Sequence, residues 1–146
     1  LIEYNIRMGD PECQVILPRL KTDLIKILLN AVENKLKKTK IEWKKNKSMT
    51  VVICSKGYPG KYQKKKLIKN IDNIKIANNE FIYHAGTKKE NGLLYSNGGR
   101  VLNITVLGKK FSLIRKKIIK LIQRINWKYG FYRKDIGWKA IKNENN

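Results

Sequence analysis

Glu3-Tyr4-Asn5-Ile6-Arg7-Met8-Gly9-Asp10-Pro11-Glu12 decides how the first part of the chain folds, because polar and apolar residues alternate up to Arg7 and a turn signal follows at once. Along an extended strand, side chains two residues apart share a face. Glu3, Asn5 and Arg7 are therefore expected to project together, while Tyr4 and Ile6 turn into a core. A hard cation such as Mg²⁺ takes oxygen ligands, about one or two of them from protein, and leaves its other positions to water and substrate phosphates. The Glu3 carboxylate and the Asn5 amide oxygen meet that demand. Arg7 has a planar fork suited to a phosphoryl or carboxylate group and to charge that builds up during transfer. The same alternation is also what a strand with one wet face displays without any chemistry. Gly9-Asp10-Pro11 is the turn leaving this strand, with Asp10 expected to cap a helical turn begun by Pro11. Successive backbone N–H groups there can hold an anion.

Beyond this turn, Thr22 is expected to cap a helix carrying Leu24, Ile27, Leu28, Ala31 and Val32 at helical intervals to about Leu36, a stripe with the spacing of a core face. Residues 37–47 lose that period apart from Ile41 and Trp43 and form the expected boundary. From Ser48 the pattern changes to short strands punctuated by glycine: Met49 to Ser55, Glu80 to Ala85, Leu93 to Ser96 and Arg100 to Leu107. The pieces on either side of Lys88 to Gly92 read as a hairpin with a five-residue connection. Ser112 is expected to cap a helix whose apolar face holds Leu113, Ile114, Ile118, Leu121, Ile122 and Ile125, laid on the sheet, with its lysines and arginines outward. Gly57, Gly60, Gly98 and Gly99 either permit close backbone approach and positive φ or are simply turn glycines, and Asn143 to Asn146 read as a frayed end.

Charge is the extreme feature of the composition: 33 Lys and Arg against 11 Asp and Glu give +22. Such a balance raises the possibility of a non-enzymatic basic module that binds nucleic acid by counterion release, with a steep salt dependence. The basic residues are mostly lysines spread from Lys21 to Lys142 among many Ile and Asn, so runs such as Lys37-Lys38 and Lys64-Lys65-Lys66 read as solvated faces, and neither a nucleic-acid nor a membrane partner is expected. Cys13 and Cys54 form no CxxC and His84 is the single histidine, which leaves no zinc spacing and no two-histidine metal box. Cys54 lies in an apolar strand and reads as a packed thiol. No apolar run reaches roughly 18 residues and no signal-peptide pattern opens the chain, so a cytoplasmic protein with reduced thiols is expected.

The string EYNIRMGDPECQ resembles the signature of the glycinamide ribonucleotide synthetases, also called phosphoribosylamine–glycine ligases, which are ATP-grasp enzymes of purine biosynthesis. Ser55 to Tyr62 (SKGYPGKY), His84 to Lys88 (HAGTK), Asn97 to Leu102 (NGGRVL) and Phe131 to Ala140 (FYRKDIGWKA) resemble that family's later blocks in the same order. Met8 stands where the family more often has Phe or Leu, a hydrophobic exchange. The resemblance implies an α+β chain in which residues 1–36 end an ATP-grasp domain, 37–47 link, and 48–146 form a small domain of short antiparallel strands covered by a helix. It further implies the C-terminal third of a longer ligase, inert alone and completed by the rest of the parent enzyme. The implied reaction joins glycine to 5-phosphoribosylamine at the expense of ATP, through glycyl phosphate, with Mg²⁺ or Mn²⁺ as the metal.

By the same resemblance Glu3 and Asn5 match the metal-binding pair and Arg7 faces the transferring phosphate or the acyl phosphate. Asp10 and Glu12 either hold the glycine ammonium or order the turn. Arg100, after Gly98-Gly99, is expected to reach a ribose phosphate or the nucleotide. Arg133 and Asp135 are either a structural ion pair or substrate contacts, and His84 is a histidine satisfied near the site.

Overall fold

A computed structural model describes residues 6–144. Its centre is a four-stranded antiparallel sheet in the order β2-β5-β1-β6, built from β1 (Lys47–Ser55), β2 (Glu80–His84), β5 (Arg100–Gly108) and β6 (Gly130–Phe131). β5 lies between β1 and β2, and every residue from Val101 to Leu107 is buried. That placement explains its nearly unbroken apolar run, since a strand covered on both faces needs no polar side. Residues directly opposite in an antiparallel pair share a face. The register Val51↔Ile104 and Ile82↔Ile104 therefore lines one apolar surface, and Val52↔Asn103 and Tyr83↔Asn103 line the other.

α3 (Phe111–Ile125) covers the first surface with Ile114, Ile118, Leu121, Ile122 and Ile125, all buried. Their intervals of three and four put them on one side of the helix. Each contributes about 1.5–3 kcal/mol of burial as an upper estimate. Asn126 ends the helix in the left-handed region at φ 46, and its N–H donates to the Ile122 carbonyl at 3.1 Å. The short helix α1 (Glu12–Ile16) contacts β1 and β5, and Cys13 sits near Tyr83 on the opposite surface. The side-chain amide of Asn103, fully buried there, finds no hydrogen-bond partner among the described residues.

Several boundaries differ from the sequence reading. β3 (Thr87–Glu90) pairs with β4 (Leu93–Ser96) in a separate two-stranded sheet, so the connection is the two-residue Asn91-Gly92 turn rather than five residues. Both turn residues have positive φ, 49 and 77, as an Asn-Gly hairpin turn requires. β2 joins β5 instead of β4. The cap of α2 (Leu24–Val32) is Asp23, whose Oδ1 accepts from the N–H groups of Ile25 and Lys26 at 2.7 and 3.2 Å. Thr22 turns away, and its Oγ1 accepts from the Glu42 N–H at 2.7 Å. The α2 stripe is not core: Leu28 is 56% and Val32 83% exposed, because α1 and α3 already cover the central sheet and α2 contacts chiefly the turn Leu36–Lys38. Ile6 is likewise 98% exposed in a bend, with no strand beside it among the described residues. Tyr4 lies outside the described residues.

Ser112 caps nothing, and Leu113 is exposed. The N-terminus of α3 is instead served from the far end of the chain, where the Phe111 N–H donates to Oε2 of Glu144 at 2.7 Å. Glu144 ends α4 (Trp138–Glu144) and also pairs with Lys47, so it is tied in rather than frayed, while Asn145 and Asn146 lie outside the described residues. The Lys47 ammonium, ahead of the Phe111 amide, holds the Glu144 carboxyl below the usual carboxylate range, against some opposition from desolvation. With the folded pKa below the unfolded one, this contribution is complete above the ordinary Glu value of about 4.3 and lost as pH falls through the folded value. Glu144→Gln is expected to flatten the fall in melting temperature between about pH 5 and pH 3, measured by thermal unfolding across that range.

Candidate active site

The turn after Arg7 is held by its own side chains. The Gly9 N–H donates to Oε2 of Glu12 at 3.0 Å, and the Cys13 N–H donates to the Gly9 carbonyl at 3.0 Å. α1 starts at Glu12 with Pro11 at its N-cap and no side-chain capping bond, so Asp10 does not cap it. The Asp10 carboxylate accepts from Nε2 of Gln14 at 3.2 Å and faces Arg100, whose Nε lies 3.4 Å from Oδ2. Nη1 of Arg100 also donates to the Asp10 carbonyl at 3.0 Å. Two motifs 90 residues apart in sequence thus meet. Arg7, Met8, Gly9, Asp10, Pro11, Glu12 and Arg100 line one open cleft of about 620 Å³. Arg7 itself is exposed, and Nη1 is 3.4 Å from the Met8 carbonyl. Glu3 and Asn5 lie outside the described residues.

Arg100 starts β5 opposite Cys54, where a bulge shifts the β1 register. Its backbone is fixed by a close glycine approach between two loops, of the kind Gly98 permits. A Cβ on Gly86 would stand 2.5 Å from the Arg100 carbonyl oxygen and 2.8 Å from the Gly98 Cα, so two loops touch backbone to backbone there. A Cβ on Gly99 would meet the Tyr58 ring at 2.0 Å. Ser55, 2% exposed, seals the crossing: its N–H donates to the Gly99 carbonyl and its hydroxyl to the Gly98 carbonyl, both at 2.8 Å. Burial pushes the Cys54 thiol above its ordinary range; the Arg100 charge opposes this and the Asp10 charge adds to it. A thiol so held stays protonated near neutrality and is a poor nucleophile.

The remaining sequence candidates sit elsewhere. Nδ1 of His84 is 3.0 Å from Oγ1 of Thr87 at the β2–β3 corner, and His84 does not line the cleft. Arg133 and Asp135 form an exposed bidentate pair at 2.8 and 3.2 Å. Lys37, Lys38, Lys64 and Lys65 are exposed, whereas the ammonium groups of Lys66 and Lys128 each lie 5.0 Å from the Tyr129 ring centre. No helix is long and apolar enough to cross a membrane among the described residues. Nor do the described residues bring three His, Cys, Asp or Glu side chains together as a metal cluster.

The model of the family described as phosphoribosylglycinamide synthetase, C domain, matches residues 48–139. The chain is 44% identical over 144 residues to the phosphoribosylamine–glycine ligase, chloroplastic, of Arabidopsis thaliana, covering 97% of this chain and 27% of the relative. It is 44% identical to the phosphoribosylamine–glycine ligase of Agrobacterium fabrum, covering 99% of this chain and 34% of that protein. The crystal structure of phosphoribosylamine–glycine ligase from Thermotoga maritima superposes with a TM-score of 0.68 at 30% identity over 92% of this chain and 32% of the other. The chain therefore spans about a third of the length of the curated relatives it matches. With the matched region holding β2 through β6, all of β1 after Lys47, the glycine crossing and Arg100, the chain belongs to the phosphoribosylglycinamide synthetase C-domain family.

Proposed function

We propose that the chain is the C-terminal portion of an ATP-dependent ligase of de novo purine biosynthesis, working in the cytoplasm. It joins glycine to 5-phosphoribosylamine and gives glycinamide ribonucleotide, ADP and phosphate by way of glycyl phosphate. Residues 1–36 would end the ATP-grasp domain, 37–47 would link it to the domain beyond, and the preceding part of the polypeptide would complete the site. The observation that carries this reading is the cleft in which the Arg7–Glu12 segment meets Arg100 from the other end of the sequence. The rival reading as a nucleic-acid-binding module has no support from the family match or the named relatives.

A carboxylate is a poor acyl donor, and phosphorylating glycine first gives the amine a good leaving group to displace. Negative charge then crowds between the nucleotide and the glycine carboxylate. Arg7 stands free of any ion pair among the described residues and can turn its donors onto the transferring phosphoryl group. Both carboxylate oxygens of Asp10 are engaged, by Gln14 and Arg100, and Oε2 of Glu12 by the Gly9 N–H, which suits ordering the turn better than seizing the glycine ammonium. Glu3 and Asn5 supply carboxylate and amide oxygen, the donor chemistry Mg²⁺ or Mn²⁺ takes. The metal, when bound, offsets phosphate charge.

Turnover of ATP by the full polypeptide, dependent on both glycine and 5-phosphoribosylamine, tests the reading. Glu3→Gln is expected to raise the Mg²⁺ concentration for half-maximal turnover by about tenfold or more. An unchanged Mg²⁺ dependence removes Glu3 from the metal site.

A further inference from the structure

We infer that Arg100 is a positioning residue of this site: it fastens the Gly9–Glu12 turn to the central sheet and acts on the reaction through Asp10, not by touching a substrate phosphate. The inference rests on the ligase reading above. Arg100 is anchored at its backbone and committed at its tip. Its carbonyl is gripped by the Gly86–Gly98 crossing, its neighbour Val101 is fully buried, and its strand pairs with β1 and β2. From that fixed base the guanidinium reaches across 90 residues of sequence to one partner among the described residues, meeting both the carbonyl and the carboxylate of Asp10. A planar fork can address two oxygens of one residue at once; an ammonium on a flexible stem cannot hold that geometry.

The pair is wet, at 43% and 42% side-chain exposure, so it contributes little to global stability. What it fixes is where the turn lies. Without it, the turn keeps its local bonds, from Gly9 to Glu12, from Gln14 to Asp10 and from Cys13 to Gly9, and its join to α1 on the sheet, but no other hydrogen bond among the described residues fastens the turn itself to a strand. Arg7 is two residues before this turn. A displacement of about 1 Å in a group near the reacting atoms can slow a reaction by about a hundredfold.

The test uses the full polypeptide. Arg100→Met is expected to lower kcat by about ten- to a hundredfold with the KM for ATP and for 5-phosphoribosylamine little changed. Lysine binds phosphate well as a point charge but lacks the fork, so Arg100→Lys is expected to recover little of the loss. Because both residues act through one link, Asp10→Asn added to Arg100→Met is expected to cost much less than it does alone. Hydrogen exchange at the Cys13 amide is expected to quicken by about tenfold in Arg100→Met while the β5 amides and the melting temperature hold steady. A loss carried by the KM for 5-phosphoribosylamine and restored by Arg100→Lys overturns the inference in favour of direct phosphate contact. Unchanged exchange at Cys13 overturns it as well. If the wild-type polypeptide does not ligate these substrates, the ligase reading falls by itself, and the exchange measurement alone decides whether Arg100 clamps the turn.

Discussion

Arg7→Met is expected to cut kcat for glycine-dependent ADP release by about 10²–10³-fold in the full polypeptide, the loss typical of removing one preorganised donor from developing transition-state charge. The fold should not notice the change. Arg7 is exposed, and its only side-chain hydrogen bond among the described residues goes to the adjacent Met8 carbonyl at 3.4 Å. Methionine keeps the length of the stem and removes the guanidinium, so the melting temperature should stay within about a degree or two, as for surface changes of small energy. Kinetics of ADP release beside thermal unfolding of the same samples separate the two effects. A variant that turns over within about threefold of wild type removes Arg7 from the path of charge transfer.

Gly86→Ala is expected to destabilise the protein by about 2–3 kcal/mol, at the upper end of what overpacking by one methyl costs. The added carbon would stand 2.5 Å from the Arg100 carbonyl oxygen and 2.8 Å from the Gly98 Cα. Both obstacles are backbone, which cannot swing aside as a side-chain tip can. Relief requires the β2–β3 corner and the β4–β5 loop to part, which strains the Ser55 bonds to the Gly98 and Gly99 carbonyls and shifts the base of Arg100. Urea unfolding should show a lower midpoint with an unchanged slope. Activity should fall more than stability explains at temperatures where the variant is still folded, because the Asp10 link moves with its anchor. A Gly86→Ala protein of wild-type stability would mean that this close approach relaxes at no cost.

How far the sequence reached can be judged element by element. β1, β5 and α3 were legible because each writes its burial locally: Val51 to Ile53, Val101 to Leu107 and the spacing from Ile114 to Ile125 report a face or a layer within a few residues. The hairpin was misplaced because Thr87–Glu90 is a polar strand in an exposed sheet, without the apolar alternation that marks a strand, although Asn91-Gly92 carried the turn signal. The cap of α3 was not legible at all, since its acceptor comes from Glu144, 33 residues away. The cleft follows the same division. Arg7, Asp10, Glu12 and Arg100 were recognisable as residue types in family-like strings, but that Arg100 would close on Asp10 depends on a tertiary meeting with no local trace. Ser55 passed unremarked for that reason, because a buried serine shows its worth only beside the two carbonyls it binds.

The bare flank of α2 has a consequence for anyone handling these 146 residues by themselves. Ile25, Leu28, Leu29 and Val32 stand mostly in water on a single short helix. Water releases such a surface whenever two molecules meet, and a net charge of +22 opposes that meeting by a repulsion that added salt weakens. A preparation kept clear at low ionic strength by mutual repulsion will therefore turn cloudy as buffer salt rises, the reverse of the salting-in that so cationic a chain would otherwise suggest.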